Sequence, residues 1–509
     1  MTRETTDGVE NAASRPDTAE GSPTIGELLS RRAAEDGQHS YLEDARSQRG
    51  LSYAQALNAV SSFLDDAALP LRTTVFIDEP DPLTFAVAHL AAIAAGHRSV
   101  PLDPALTADD IARLARLVEG PKVLVTAADA RAAAAGVDRI APPSIETAVT
   151  AAPHRTPAFR HNGSAMLFTS GSTGTPKGVE LGADQLLFVG EAVAGHLGLT
   201  AADRGYNSLP LFHINAEVVG LLSTLAAGST LVLDRRFHRT GFWPLMAERD
   251  ISWINAVPAI LAVLATEPIL APPRLRLIRT ASAPLPGPVA DAFDGIPLVV
   301  SYGMTEASSQ ITATPVDAPR HGTVGVPVGT EVQVRESGTP APTGTVGELW
   351  IRGRGVVTTY FGGAAADRFD EEGWLRTGDL GSLDDDGYVT LAGRVDDVIN
   401  RGGEKVYPLE VEEVLLADPA VREVVVVGAP DDVLGSVPVA FVIPAEAAHS
   451  DEQDQTLVQR LTALAEDRLP RFKRPRTITV VDDVPRAATG KVQRVRLRSE
   501  IADAAANAE

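Results

Sequence analysis

The chain contains no cysteine among its 509 residues. That excludes disulfides, thiolate nucleophiles and cysteine-ligated zinc. Positive charge is also scarce: 45 Lys and Arg stand against 67 Asp and Glu, a formal net charge of −22. A nucleic-acid surface needs a basic stripe, so that class of partner is not expected. No long apolar run occurs. The most apolar helical stretch, Phe85–Gly96, carries His89 and is too short to span a bilayer, which takes about 20 residues. Residues 1–22 are polar, lack the apolar segment of a secretion signal and read as a disordered tail. No internal repeat of fixed period is found. These absences point to a cytoplasmic protein with neither a membrane nor a nucleic acid as partner.

What is present suffices for a large folded body. Hydrophobic residues make up 44% of the chain. Its length exceeds the roughly 250–300 residues at which single cores stop growing, so more than one domain is expected. From residue 23 to about 320, helical and strand patterns alternate. Thr74–Ile77, Lys122–Thr126, Thr230–Leu233, Trp253–Val257, Leu275–Ile278 and Leu298–Ser301 read as strands among helices, which argues for mostly parallel sheets covered by helices. After Gly322 short strands split by Gly, Pro and Asp turns indicate a small β subdomain. Within it Asp384-Asp385-Asp386-Gly387 reads as a hairpin turn rather than a calcium loop, because Gly393 stands where a twelfth-position Glu is needed. Beyond Gly393 a compact α+β unit of about 110 residues follows. The expected division is a tail over 1–22, a large domain over 23–393 and a small mobile cap over 394–509, α/β overall.

The stretch Ala165–Glu180 carries the strongest chemical signal. An apolar strand ends at Phe168 and passes into Thr169-Ser170-Gly171-Ser172-Thr173-Gly174-Thr175, then Pro176-Lys177. Glycines let several N–H groups converge on one point, hydroxyls add donors and Lys177 adds charge, a combination suited to phosphate. It is not the Walker pattern, which needs Gly-Lys followed by Ser or Thr. A second cluster, Ser301-Tyr302-Gly303-Met304-Thr305-Glu306, follows an apolar strand and offers an aromatic face and a hard oxygen ligand. A third, Arg376-Thr377-Gly378-Asp379, places a carboxylate that can accept two ribose hydroxyls. Gly393-Arg394-Val395-Asp396 and Arg401-Gly402-Gly403-Glu404 follow. Ala488-Thr489-Gly490-Lys491 closes the series near the C-terminus.

In this order the motifs resemble the adenylate-forming superfamily of acyl-CoA synthetases, peptide-synthetase adenylation domains and beetle luciferases, over roughly residues 23–496. The segment Arg401–Glu412 and the run Leu209–Asn215 are closer to small-acid CoA ligases. The resemblance implies ATP, Mg2+ and CoA as ligands and a small carboxylic acid as substrate, in a monomer or homodimer. Thr169–Lys177 would wrap the β- and γ-phosphates. Tyr302 would stack on adenine, Gly303 would belong to the ATP site, Thr305 and Glu306 would hold phosphate and magnesium, and Asp379 and Arg394 would bind the ribose. Lys491 would bridge the acid and the α-phosphate. His213 would gate an acyl pocket lined by Phe212, Asn215, Glu217, Ala281, Ser282, Ala283 and Ser301. Asp396 would be the hinge about which the cap turns, bringing the Gly402–Gly403 loop to the site for thioester formation. Extra methyl groups in Ala281-Ser282-Ala283 should narrow the acyl cavity. For Glu217, a buried carboxylate that needs a partner, a substrate amine or hydroxyl, Arg279 and solvent all stand open. The resemblance also allows a carrier protein or an amine as acceptor, and nitrite activation for diazotisation of an aromatic amine.

Overall fold

The computed structural model describes residues 23–150, 152, 159, 161–170, 176–446, 450–486 and 492–506. The tail expected over 1–22 lies outside them, as do Gly171, Ser172, Thr173, Gly174, Thr175 and Lys491.

Helix starts follow local chemistry. Thr24 caps the helix Ile25–Asp36 in a reciprocal pair with Glu27, which satisfies donors the first turn leaves free. Asp81 caps Pro82–Ala94, with Pro at the first turn. That helix is apolar all round and buried along nearly its whole length, as a helix enclosed on every side must be.

Two helix-covered sheets form the large body. In a nine-stranded sheet, Ser40–Asp44, Thr230–Leu233, Arg204–Asn207, Trp253–Ala256, Leu277–Thr280 and Leu298–Tyr302 run parallel in that spatial order. Antiparallel pieces, Gly50–Ser52 at one end and Thr312–Ala313 with Val326–Pro327 at the other, complete it. In a six-stranded sheet the parallel strands Asp138–Ile140, Lys122–Val125, Thr74–Ile77, Arg98–Pro101 and Ser164–Ser170 end in an antiparallel hairpin with Pro176–Gly182. A five-stranded antiparallel sheet over 331–394 is the β subdomain expected after Gly322. Its turn at Asp384–Gly387 is the predicted hairpin: Asp384 accepts the N–H groups of Asp386 and Tyr388.

A fourth sheet, over 399–480, packs apolar clusters on both faces, and both draw only on residues from Ile399 onward. An independent core makes this a separate C-terminal domain.

Candidate active site

The predicted phosphate loop joins the two strands of the edge hairpin. Thr169 and Lys177 face each other across it in register, and Lys177 is half-buried. The second strand, Pro176–Gly182, packs against the 3-10 turn Thr305–Ala307. That turn leaves the end of Leu298–Tyr302, at the carboxyl side of the parallel sheet where such folds place ligands. Gly303 is required there, because a Cβ at this position would lie 1.6 Å from the Ser309 carbonyl oxygen.

Glu306 is 7% exposed. Its Oε1 accepts from the Tyr360 hydroxyl at 2.6 Å and meets Arg368 at 3.2 Å, which leaves Oε2 for another partner. Arg368 also donates to the Thr377 carbonyl at 3.1 Å and so ties this carboxylate to the strand Leu375–Leu383. Tyr360 and Arg368 escaped the sequence reading, since neither lies in a recognisable motif.

Asp379 and Arg394 stand directly opposite each other on the antiparallel strands Leu375–Leu383 and Val389–Arg394, 3.2 Å apart. The Tyr302 hydroxyl donates to the other Asp379 oxygen at 2.6 Å. The residues predicted for adenine and for ribose are therefore in contact. Burial raises the Asp379 carboxyl above its usual range despite Arg394 and the tyrosine, and burial likewise raises the Tyr302 phenol.

Of the residues expected to line the acyl pocket, Asn215 and Glu217 lie on a π-helix, Asn215–Leu222, all of it buried. Such wide turns recur at functional sites. Phe212 and His213 precede it, half-buried, their rings 4.5 Å apart. Asn215 Oδ1 accepts from Arg279 at 2.7 Å and from Asn255 Nδ2 at 3.1 Å, and its own Nδ2 lies 3.4 Å from Ser282 Oγ. Asn207, Asn255 and Arg279 occupy adjacent positions on three parallel strands, and Arg279 reaches on to Gln310 at 2.8 Å. Burial pushes the guanidinium down to about 9. Asn255 and Gln310 were also missed from sequence, because amides on different strands leave no local pattern. Ala281 is buried, whereas Ser282 and Ala283 are exposed. The Ala281 methyl is therefore enclosed, while Ser282 and Ala283 border solvent. Ser282 has φ +80°, a conformation that glycine adopts more easily.

Glu217 departs from all three partners considered for it. It is fully buried, 2.8 Å from Nε2 of His89, which is also fully buried. His89 Nδ1 lies 2.8 Å from Ser99 Oγ. The contact with Glu217 falls short of an aligned hydrogen bond. Arg279 is held by amides instead, and solvent does not reach the carboxylate.

In the C-terminal domain Gly402 and Gly403 form the turn of a tight hairpin between Ile399–Arg401 and Glu404–Val406, both with positive φ. Arg401 donates to the carbonyls of Arg471, Phe472 and Arg474. The Asp396 side chain is exposed, and its carbonyl accepts from Arg498 at 2.9 Å. Asp397 carries the ion pairs, with Arg498 at 3.3 Å and Arg494 at 3.7 Å.

This assembly agrees with comparison to known proteins. The AMP-binding enzyme family matches residues 29–361, and the AMP-binding enzyme C-terminal domain matches residues 410–491. A sulfoacetate–CoA ligase of Cupriavidus necator is 40% identical over 65% of this chain and 66% of that protein, a little under two thirds of its length. An oxalate–CoA ligase of Arabidopsis thaliana is 33% identical over 86% of this chain and 90% of that protein. Among solved structures, ATP-bound MatB from Rhodopseudomonas palustris superposes with a TM-score of 0.82 at 26% identity, covering 95% of this chain and all of that one. The chain belongs to the AMP-binding enzyme family. The relatives it matches are named as acid–CoA ligases. No helix among the described residues is long and apolar enough to cross a membrane.

Proposed function

We propose that this enzyme joins a small organic acid to CoA through an acyl-AMP. The observation that carries the reading is the meeting, around one site, of the glycine- and hydroxyl-rich hairpin, the Glu306 turn and the Asp379–Arg394 pair. The acids named for its relatives, sulfoacetate, oxalate and 2-succinylbenzoate, are small and polar.

A carboxylate and a triphosphate repel each other, so reaction needs fixed cations and donors that hold them in line. Lys177 and the hairpin loop hold the outer phosphates, and Asp379 with Arg394 holds the ribose. Tyr302 supports the adenine side and keeps Asp379 oriented. A carboxylate oxygen attacks the α-phosphorus and pyrophosphate leaves. Lys491 steadies the converging oxygens, and His213 closes the acyl side. Turning of the small domain near Asp396 then brings the Gly402–Gly403 hairpin to the site, and the CoA thiol displaces AMP. The domain limits, 23–393 and 394–509, belong to this proposal.

Magnesium fits Glu306. Among the described residues no cluster of three acidic or histidine side chains could hold a metal alone. One free carboxylate oxygen beside the phosphate hairpin suits an ion that takes most of its ligands from phosphates and water. When bound, it supplies charge neutralisation on the phosphates.

The test is pyrophosphate release over a panel of acids, with and without CoA. Release that CoA accelerates, with acyl-CoA as product, is expected. Release indifferent to CoA would move the acceptor to a carrier protein or an amine. A Lys491→Ala variant should lose adenylation by at least ~100-fold yet still form thioester from supplied acyl-AMP. Equal loss of both half-reactions would remove Lys491 from its role.

A further inference from the structure

Glu306 is gripped on one side only. Its Oε1 accepts from the Tyr360 hydroxyl at 2.6 Å and from Arg368 Nη1 at 3.2 Å. Arg368 Nη1 also donates to the Tyr360 hydroxyl oxygen, so the three groups close a ring around that carboxylate oxygen. No hydrogen bond among the described residues reaches Oε2.

The grip is stiff. Tyr360 is 1% exposed. The far edge of the Arg368 guanidinium is held by main-chain carbonyls of the strand Leu375–Leu383: Nε donates to Arg376 at 3.0 Å and Nη2 to Thr377 at 3.1 Å. The guanidinium leaves Glu306 only by giving these up. The main chain of the turn is fastened to the same stretch. Val357 N–H donates to the Glu306 carbonyl at 2.9 Å, and Ser308 Oγ to the Gly355 carbonyl at 2.8 Å. Residues 355–368 thus hold both the backbone and the carboxylate. Whichever oxygen faces Tyr360 and Arg368, the other alone is left.

A carboxylate with one oxygen spent on two donors offers a metal a single oxygen. Mg2+ takes a tight octahedron at about 2.0–2.1 Å and keeps several waters, so one carboxylate oxygen suits it. Ca2+ takes roughly six to eight ligands at about 2.3–2.6 Å and gains from carboxylates that bind through both oxygens. A triphosphate chelates either ion, so a choice between them has to come from the protein. We propose that Tyr360 and Arg368 set a preference for magnesium over calcium by holding Glu306 to one metal-binding oxygen. Both act through Glu306 and are positioning residues. The inference rests on the reading that Glu306 receives the metal of bound ATP.

Equilibrium titration of the full-length enzyme with ATP, in saturating Mg2+ or Ca2+ and without any acid, tests it in the absence of turnover. Wild-type enzyme should bind MgATP more tightly than CaATP by on the order of tenfold. Tyr360→Phe and Arg368→Met should each narrow that ratio, and together bring it to about threefold or less, chiefly by strengthening CaATP binding. A purely structural role would weaken both complexes alike and leave the ratio unchanged. Melting curves establish which variants are folded, and either single variant suffices. Equal binding of the two complexes by wild-type enzyme, or the wild-type ratio in a folded variant, overturns the inference and leaves the ligase reading standing. Failure to bind ATP with either ion overturns the ligase reading itself.

Discussion

His89 and Glu217 show how one residue can look functional in sequence and turn out to be structural. Each is fully buried, and the two side chains meet at 2.8 Å. Removing the imidazole leaves a cavity and a buried carboxyl without its partner, so His89→Ala should destabilise the protein by roughly 2–5 kcal/mol, read as a lowered midpoint in denaturant. Glu217→Gln should cost less and leave acid selectivity unchanged; a changed substrate profile would return Glu217 to the pocket. Asp379 makes a pH prediction. Its folded pKa is raised, so ionising it opposes folding, and that penalty is relieved as pH falls through the raised value. Ribose hydroxyls need the ionised form. ATP affinity should therefore weaken on acidification at a higher pH than an ordinary Asp would allow, and Asp379→Asn should bind weakly with no such step. Burial works against the Arg279 charge, and no carboxylate among the described residues offsets it. The groups facing it from the π-helix, the strand Trp253–Ala256 and the segment at Gln310 are all neutral amides.

Among the elements, those whose cause is local were legible in the sequence. Thr74–Ile77 and Thr230–Leu233 were read with their observed limits, because each is a β-branched apolar run fully buried between neighbours. The strand expected at Leu275–Ile278 lies instead at Leu277–Thr280. A charged residue reads as a strand end, but Arg279 stays inside because Asn255 on the next strand and Asn215 on the π-helix receive it. That compensation comes from residues distant in sequence. The π-helix itself left no signal, since its apolar run fits an ordinary buried helix equally well. The phosphate hairpin, the Glu306 turn and Asp379 were legible as motifs, while Tyr360 and Arg368, which hold Glu306, were not. At the Gly402–Gly403 turn both residues have positive φ, which costs other residues about 1–2 kcal/mol each. Gly402→Val should therefore slow thioester formation more than adenylation, measured as separate half-reactions.

At the scale of the whole molecule the account requires two bodies that work in turn. The C-terminal sheet has its own core, the separate unit that sequence texture led one to expect. The expected pivot falls beside Asp397, whose ion pairs with Arg494 and Arg498 fasten the segment to the terminal helix Arg494–Ala506. Asp396→Pro, which restricts the backbone there, should slow the CoA step by at least ~10-fold while sparing adenylation. Unchanged thioester kinetics would place the pivot elsewhere. Beneath both half-reactions lies the claim that this site activates an acid with ATP. Exchange of labelled pyrophosphate into ATP measures it without any acceptor. Exchange that requires both magnesium and a small acid, and that is lost in Lys177→Ala and Glu306→Gln, is expected; exchange independent of acid, or none with any acid while ATP still binds, would contradict acid activation at this site.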